Sequence, residues 1–308
     1  MRARLIAAFA AVYVIWGSTY LAMRFAIETL PPFFMLGARF GLAGLILLAW
    51  SRWHDDAPPP TARDWTVGGI SGTLMLFGGT GAVIWAERRV PSGIAAILVA
   101  IVPLWMVLLD WSHPSGRRPR PLVFVGLSLG LAGLALLVGP DALHGDASLH
   151  LPSVAILMLG SFTWAMGSVV VQRAPRPSTG MNGSATQMIV GGAMLTVAAL
   201  LHGELRALGA THASTRSVLA FVYLVTFGSL VGFTAYNYLL GHTSAAKAAT
   251  YAYVNPVVAV LLGWLLASEP VTSRTLVAAA VILAGVAIIT VARDQRPAKR
   301  APSERAAA

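Results

Sequence analysis

Apolar residues fall in long blocks separated by short polar gaps, at roughly 4–23, 33–50, 65–86, 93–111, 121–139, 152–172, 184–202, 217–240, 248–267 and 274–292. A helix needs about 20 apolar residues to cross the hydrocarbon core of a bilayer, so the pattern predicts about ten membrane spans. The gaps, such as 51–64, 112–120 and 140–151, are too short to fold as a soluble domain with a core of its own.

The blocks also repeat. PSGIAAILVAIVPLWMVLL, then a basic break and GLSLGLAGLALLV, is echoed about 153 residues later by SAAKAATYAYVNPVVAVLLG, a break and AAAVILAGVAIITV. Laying Pro103 on Pro256 aligns Ala95 with Ala248, Ala96 with Ala249 and Trp85 with Tyr238. Further upstream, an offset of about 148 places Trp16 on Trp164, Arg39 on Gln187, Gly44 on Gly192 and Leu47 on Leu195. The halves 4–139 and 152–292 are therefore expected to be one unit used twice, with 293–308 a basic cytoplasmic tail. Five spans per unit is an odd number, so the two copies enter the bilayer in opposite directions, a ground plan of secondary transporters. The expected fold is all-α and integral to the membrane, with ten transmembrane helices in two inverted five-helix repeats.

Composition agrees with this. Of 308 residues, 56% are hydrophobic and 11% charged, too few charges to coat a soluble globule of this size. The net charge of +10 sits in residues that punctuate the spans rather than on an aromatic-interleaved surface, which argues against nucleic acid as a partner. With the N-terminus inside, inner segments carry about 15 Lys and Arg and outer segments about 6, a bias that puts both termini in the cytoplasm. The opening MRARLIAAFAAVYVIWGSTYLAM has the layout of a secretory signal but is read as a retained first span, because Trp16 belongs to the repeat. The chain has no cysteine, which excludes disulfides and thiolate metal sites. HExxH, Walker and GxSxG motifs are lacking, and the seven histidines fall in loops or at span ends, so no cofactor, metal or catalytic set is expected.

Small residues let helices approach closely in lipid. Gly37/Gly41, Gly68/Gly72, Gly126/Gly130 and Gly228/Gly232 supply that spacing and are expected to pack the bundle; a homodimer is left open. Pro103 and Pro256 are expected to kink their spans around a central space and to free the carbonyls of Val99 and Ala252.

Arg39 is the one unambiguous charge inside a span, about 9 Å deep at 1.5 Å per residue. It needs a pore or a counter-charge. Glu87 is the candidate partner, and an Arg39–Glu87 ion pair or gate and a substrate-facing arginine are both open. Trp16 and Tyr20 share a helix face, and Trp164 occupies the place equivalent to Trp16. In Thr250–Pro256, Tyr251 and Asn255 share a face from which Tyr253 diverges. Tyr238 is favoured over Tyr236 and Asn237 because it aligns with Trp85. Substrate contact is therefore expected from Trp16, Tyr20, Arg39, Trp85, Trp164, Tyr238, Tyr251 and Asn255.

WGSTYLAMRFAIETLPPFFMLGARF, PSGIAAILVAIVPLW and TYAYVNPVVAVLLGWLLASEP together resemble the EamA branch of the drug/metabolite transporter superfamily, from about Ile15 to Val291. Trp16, Arg39, Pro91, Pro103, Pro256 and Glu269 match positions of that family, although Pro91 becomes Ser244 in the second copy. The resemblance implies a non-enzymatic exporter of amino acids, drugs or other small metabolites, working by alternating access to a central cavity in the lipid bilayer. Protons as the coupling ion and passive flow down the solute's gradient both stay open, since mid-span Asp, Glu and His are lacking. The alternatives are a nucleotide-sugar or phosphorylated-sugar exchanger, disfavoured by the single intramembrane cation, and a membrane enzyme or scaffold.

Overall fold

A computed structural model of the chain describes residues 2–54, 58–86, 98–113, 119–138, 151–175, 177–208, 213–267 and 272–292. Among them there is helix and no strand. The long helices are α1 (Arg2–Ala26), α2 (Pro32–His54), α3 (Ala62–Ala86), α4 (Val102–Ser112), α5 (Pro121–Val138), α6 (Leu151–Arg173), α7 (Gly180–Leu201), α8 (Thr215–His242), α9 (Tyr251–Ala267) and α10 (Ser273–Ala292). Of these, 6 are long and apolar enough to cross a membrane by themselves: α1, α2, α3, α6, α7 and α8. The apolar helices Val102–Ser112, Pro121–Leu137 and Ser273–Ile289, within α4, α5 and α10, are shorter.

Several helices begin a turn earlier than the apolar blocks, because their first turns are polar. Thr61 caps α3: its hydroxyl accepts from Asp64 N–H, and the Asp64 carboxylate accepts from Thr61 N–H, a reciprocal capping box. Thr179 caps α7 by accepting from Asn182 N–H, and Ser214 caps α8 by accepting from Ser217 N–H. Hydropathy alone registers none of these residues.

Helices from the two halves pair reciprocally. α2 packs along α7 and α5 along α10, while α1 lies on α9 as α4 lies on α6. Glycines set the closeness. At Gly192, a Cβ would stand 2.5 Å from the Gly41 nitrogen and 3.0 Å from the Gly37 carbonyl oxygen, so α2 and α7 touch backbone to backbone. Gly126 and Gly285 do the same for α5 and α10, at 2.7–2.8 Å from each other's carbonyl oxygens. The Gly-x-x-x-Gly pairs therefore sit at helix contacts within the chain.

One further feature recurs in both halves, and the paired prolines differ. Thr73–Thr80 within α3 and Leu224–Val231 within α8 are wound as π-helix, the wider turn that leaves a bulge in an α-helix and often marks a functional site. Pro103 does not kink a continuous helix: the backbone turns at Ala100–Ile101 and Pro103 lies in the first turn of α4, where a missing N–H costs nothing. Its counterpart Pro256 does lie inside α9.

Polar latches close both ends of the bundle. At the end carrying the start of α3, Asp64 accepts from the N–H and hydroxyl of Thr61 and from the N–H and hydroxyl of Ser178, at 2.7–3.1 Å, joining α3 to the α6–α7 loop. Arg173 of α6 pairs with Asp110 of α4 at 3.1 Å. At the other end, Glu204 accepts from Phe34 N–H at 2.9 Å and Ser214 N–H donates to Thr29 at 3.1 Å. Asp64 is only 5% exposed and carries a charge, so its bonds are of the stronger, charge-assisted kind. Replacing Asp64 with Ala is expected to cost about 2–4 kcal/mol, read as a lowered melting temperature in detergent.

Candidate substrate cavity

The bundle centre is built from aromatic rings. Trp16 of α1 meets Trp164 of α6 edge-on at 5.8 Å and Tyr251 of α9 edge-on at 4.8 Å, and it lies tilted against Tyr236 of α8 at 5.1 Å. Tyr236 and Tyr251 complete the cluster at 5.3 Å. Such edge-to-face pairs are worth about 0.5–1.5 kcal/mol each beyond their burial, so the cluster is a stiff wall. The π-helical turns shape what faces it. Winding Leu224–Val231 wider presents the Gly228 carbonyl to Trp16, whose Nε1 donates to it at 3.0 Å. The next residue, Ser229, accepts from Arg39 Nε at 2.8 Å.

Beside this wall lies a cavity of about 120 Å³, large enough for a few heavy atoms as it stands. Its lining includes Trp16, Thr19, Arg39, Phe40, Gly79, Thr80, Ser161, Trp164, Gly228, Tyr251 and Asn255, contributed by both halves of the chain. Arg39 is 5% exposed, its guanidinium carbon 4.8 Å from the centre of the Phe40 ring, and among the described residues it forms no ion pair with a carboxylate. Two polar atoms at the lining are buried without a hydrogen-bond partner: the Trp164 Nε1 donor and the Asn255 Oδ1 acceptor. A buried polar group left unpaired is costly, which makes both atoms candidates to be satisfied by a ligand.

Of the residues expected from sequence, Trp16, Arg39, Trp164, Tyr251 and Asn255 meet at this cavity. Trp85 is half-buried near the end of α3 and packs with Val83, Leu98 and Val99 around Leu157. Tyr238 points elsewhere: it stacks on His242 at 3.9 Å and lines a second cavity. Tyr20 lies in α1, but its side chain is outside the described residues, as are Glu87, Pro91 and Glu269. Tyr236 occupies the central place for which Tyr238 was favoured, fully buried with its hydroxyl 2.8 Å from Ser168. A signal for it existed. Gly228, Gly232 and Tyr236 recur every four residues and so share one helix face, the face on which Gly232 meets the Trp16 indole.

Two halves that together wall a central cavity, with aromatic rings and one buried guanidinium, have the architecture of a membrane transport protein. The chain belongs to the EamA-like transporter family, whose profile matches it twice, at residues 3–139 and 151–291. It is 42% identical to the uncharacterized inner membrane transporter YedA of Escherichia coli K12, over 94% of this chain and 91% of that protein. It is 22% identical to a probable amino-acid metabolite efflux pump of Salmonella typhimurium, over 90% of this chain and 91% of the pump. A crystal structure 21% identical in sequence superposes with a TM-score of 0.75 over 94% of this chain and 98% of its own, so the two share a fold.

Proposed function

We propose that this chain exports small amphipathic organic solutes bearing a carboxylate across the bacterial cytoplasmic membrane, by alternating access. The observation that carries this reading is Arg39: a buried guanidinium with one N–H fixed on Ser229, set among aromatic rings and beside the unpaired Trp164 donor. Arginine's planar fork of donors matches a carboxylate, and a low-dielectric surround strengthens that match. The rings offer the apolar remainder of the solute an offset or edge-on contact. Outward transport is the direction suggested by the name of the Salmonella typhimurium relative.

The scaffold in this reading is ten spans in two inverted repeats, 4–139 and 152–292, with both termini cytoplasmic. Support comes from the reciprocal helix pairing, the π-helical segment in each half, and the twofold match of the family profile. The excess of Lys and Arg in the inner segments supports the orientation.

Metabolite profiling of cells lacking or overproducing the protein tests the export reading. An amphipathic carboxylate that accumulates in the medium on overproduction is the expected result, and a medium unchanged in every such solute contradicts it. A finer test is Trp164→Phe, which keeps an aromatic ring and removes the unpaired N–H together with part of the indole's packing. It should raise the half-saturation concentration for that solute about two- to tenfold and lower the melting temperature modestly.

A further inference from the structure

A second cavity, of about 830 Å³, lies between α3, α6, α7 and α8, toward the end of the bundle where Asp64 and Ser178 meet. The central site makes no use of it. Its inner wall holds Gln187, the counterpart of Arg39 in the other half. Gly41 of α2 packs on Gly192 of antiparallel α7, and Arg39 and Gln187 lie on opposite sides of that contact. They are thus about 10 Å apart along the axis, at 1.5 Å per residue.

The hydrogen bonds around Gln187 have an enforced direction. Ser71 Oγ donates to the Val67 carbonyl at 2.6 Å, so it accepts from Gln187 Nε2 at 2.8 Å. That turns Gln187 Oε1 toward Asn237, whose Nδ2 donates to it at 2.7 Å and to Ser184 Oγ at 2.9 Å. With both amide hydrogens used, Asn237 is left presenting Oδ1, and that atom is buried without a partner. Thr234, one helical turn earlier on the same face of α8, has a hydroxyl in the same condition. Both residues line the cavity. A backbone carbonyl therefore sets, through three side chains, a buried acceptor in the wall of the cavity with no donor to meet it.

We propose that Asn237 and Thr234 form a second ligand-binding site, one that takes the nitrogen end of a small solute, an ammonium or amide N–H donated to Asn237 Oδ1 and Thr234 Oγ1. The two sites are complementary: the Arg39 cavity leads with donors and selects an acidic group, whereas this one leads with acceptors and selects a basic or amide group. The proposal rests on the transport reading in that one solute meets the two sites at successive depths. The fixed Asp64 carboxylate at the cavity's edge favours a cationic nitrogen on approach, against the neighbouring Arg63.

The test is binding of two matched probes, phenethylamine and 3-phenylpropionate, to the full-length protein in lipid nanodiscs, followed by saturation-transfer NMR. Thr234→Val is nearly isosteric and removes a hydroxyl with no protein partner, so the variant should melt no lower than the parent. It should weaken phenethylamine about three- to tenfold and leave 3-phenylpropionate unchanged. Arg39→Gln should do the reverse. The proposal is overturned if phenethylamine does not bind, or if its binding responds to Asn255→Leu and not to Thr234→Val. Failure of the transport reading looks different: Thr234-dependent binding would persist while neither probe crossed a proteoliposome membrane.

Discussion

Arg39→Gln is expected to reduce flux of carboxylate solutes in proteoliposomes about 10- to 100-fold, the range of one charge-assisted hydrogen bond of about 1.5–3 kcal/mol. The loss should fall on solutes with a carboxylate, and neutral solutes of the same shape should be spared. Insertion and folding should survive, because the second half of the chain carries Gln187 at the aligned position, in a similarly packed setting. A glutamine at position 39 also retains an amide donor for Ser229, which now accepts from Arg39 Nε. An arginine that served only to hold α2 against α8 would give a different pattern, with lowered stability and an even loss across all solutes. Carboxylate flux equal to that of the parent, in a stably inserted variant, would remove Arg39 from the site.

The largest effect on folding is expected from Gly72→Val. A Cβ at Gly72 would run into the Gln187 carbonyl oxygen and stand 3.0 Å from its carbonyl carbon and 3.1 Å from its Cα. All three are backbone atoms of α7, which cannot step aside because its opposite flank is closed on α2 through Gly44 and Gly192. Overpacking of this kind costs about 1–3 kcal/mol even when side chains can yield, and here they cannot. Little monodisperse protein should survive extraction, and its melting temperature should drop by several degrees. Gly41→Ala is the control. Gly41 belongs to a pair with the same Gly-x-x-x-Gly spacing, yet its Cβ would meet nothing within 4 Å, so that variant should behave like the parent. Equal behaviour of the two variants would contradict the packing described for α3 and α7.

That contrast shows what the sequence carried and what it did not. Hydropathy placed most of the long helices within a few residues, since a block of about 20 apolar residues has few structural options, but the block at 93–111 holds a turn at Ala100–Ile101 and α4 begins only at Val102. Hydropathy started α3, α7 and α8 late because Thr61, Thr179 and Ser214 are capping residues whose polarity belongs to the helix. The glycine pairs pointed to contacts without revealing which member faces a neighbour, because that depends on the rotation of each helix against its partner. The π-helical turns at Thr73–Thr80 and Leu224–Val231 left no readable mark in the sequence. Laid on each other, they put Trp85 opposite Tyr236, two residues away from the match made by laying Pro103 on Pro256, so that alignment favoured Tyr238, which stacks on His242, while Tyr236 entered the aromatic cluster. Trp16, Arg39, Trp164, Tyr251 and Asn255 were legible for a simpler reason. Charges and ring N–H groups in mid-span must find a partner or a cavity, and few positions in this chain pose that demand.

Alternating access of the central Arg39 cavity to the two sides of the membrane is the central claim, and the lack of native cysteines makes it directly measurable. Thr80→Cys places one thiol at the first cavity and Met181→Cys one at the second, each without a background signal. Membrane-impermeant maleimide is then applied from each side of the membrane, with and without saturating carboxylate solute. Alternating access predicts that the solute changes the labelling of the two positions in opposite directions, each from its own side. Labelling of both positions that ignores the solute, or that rises and falls together, would contradict it.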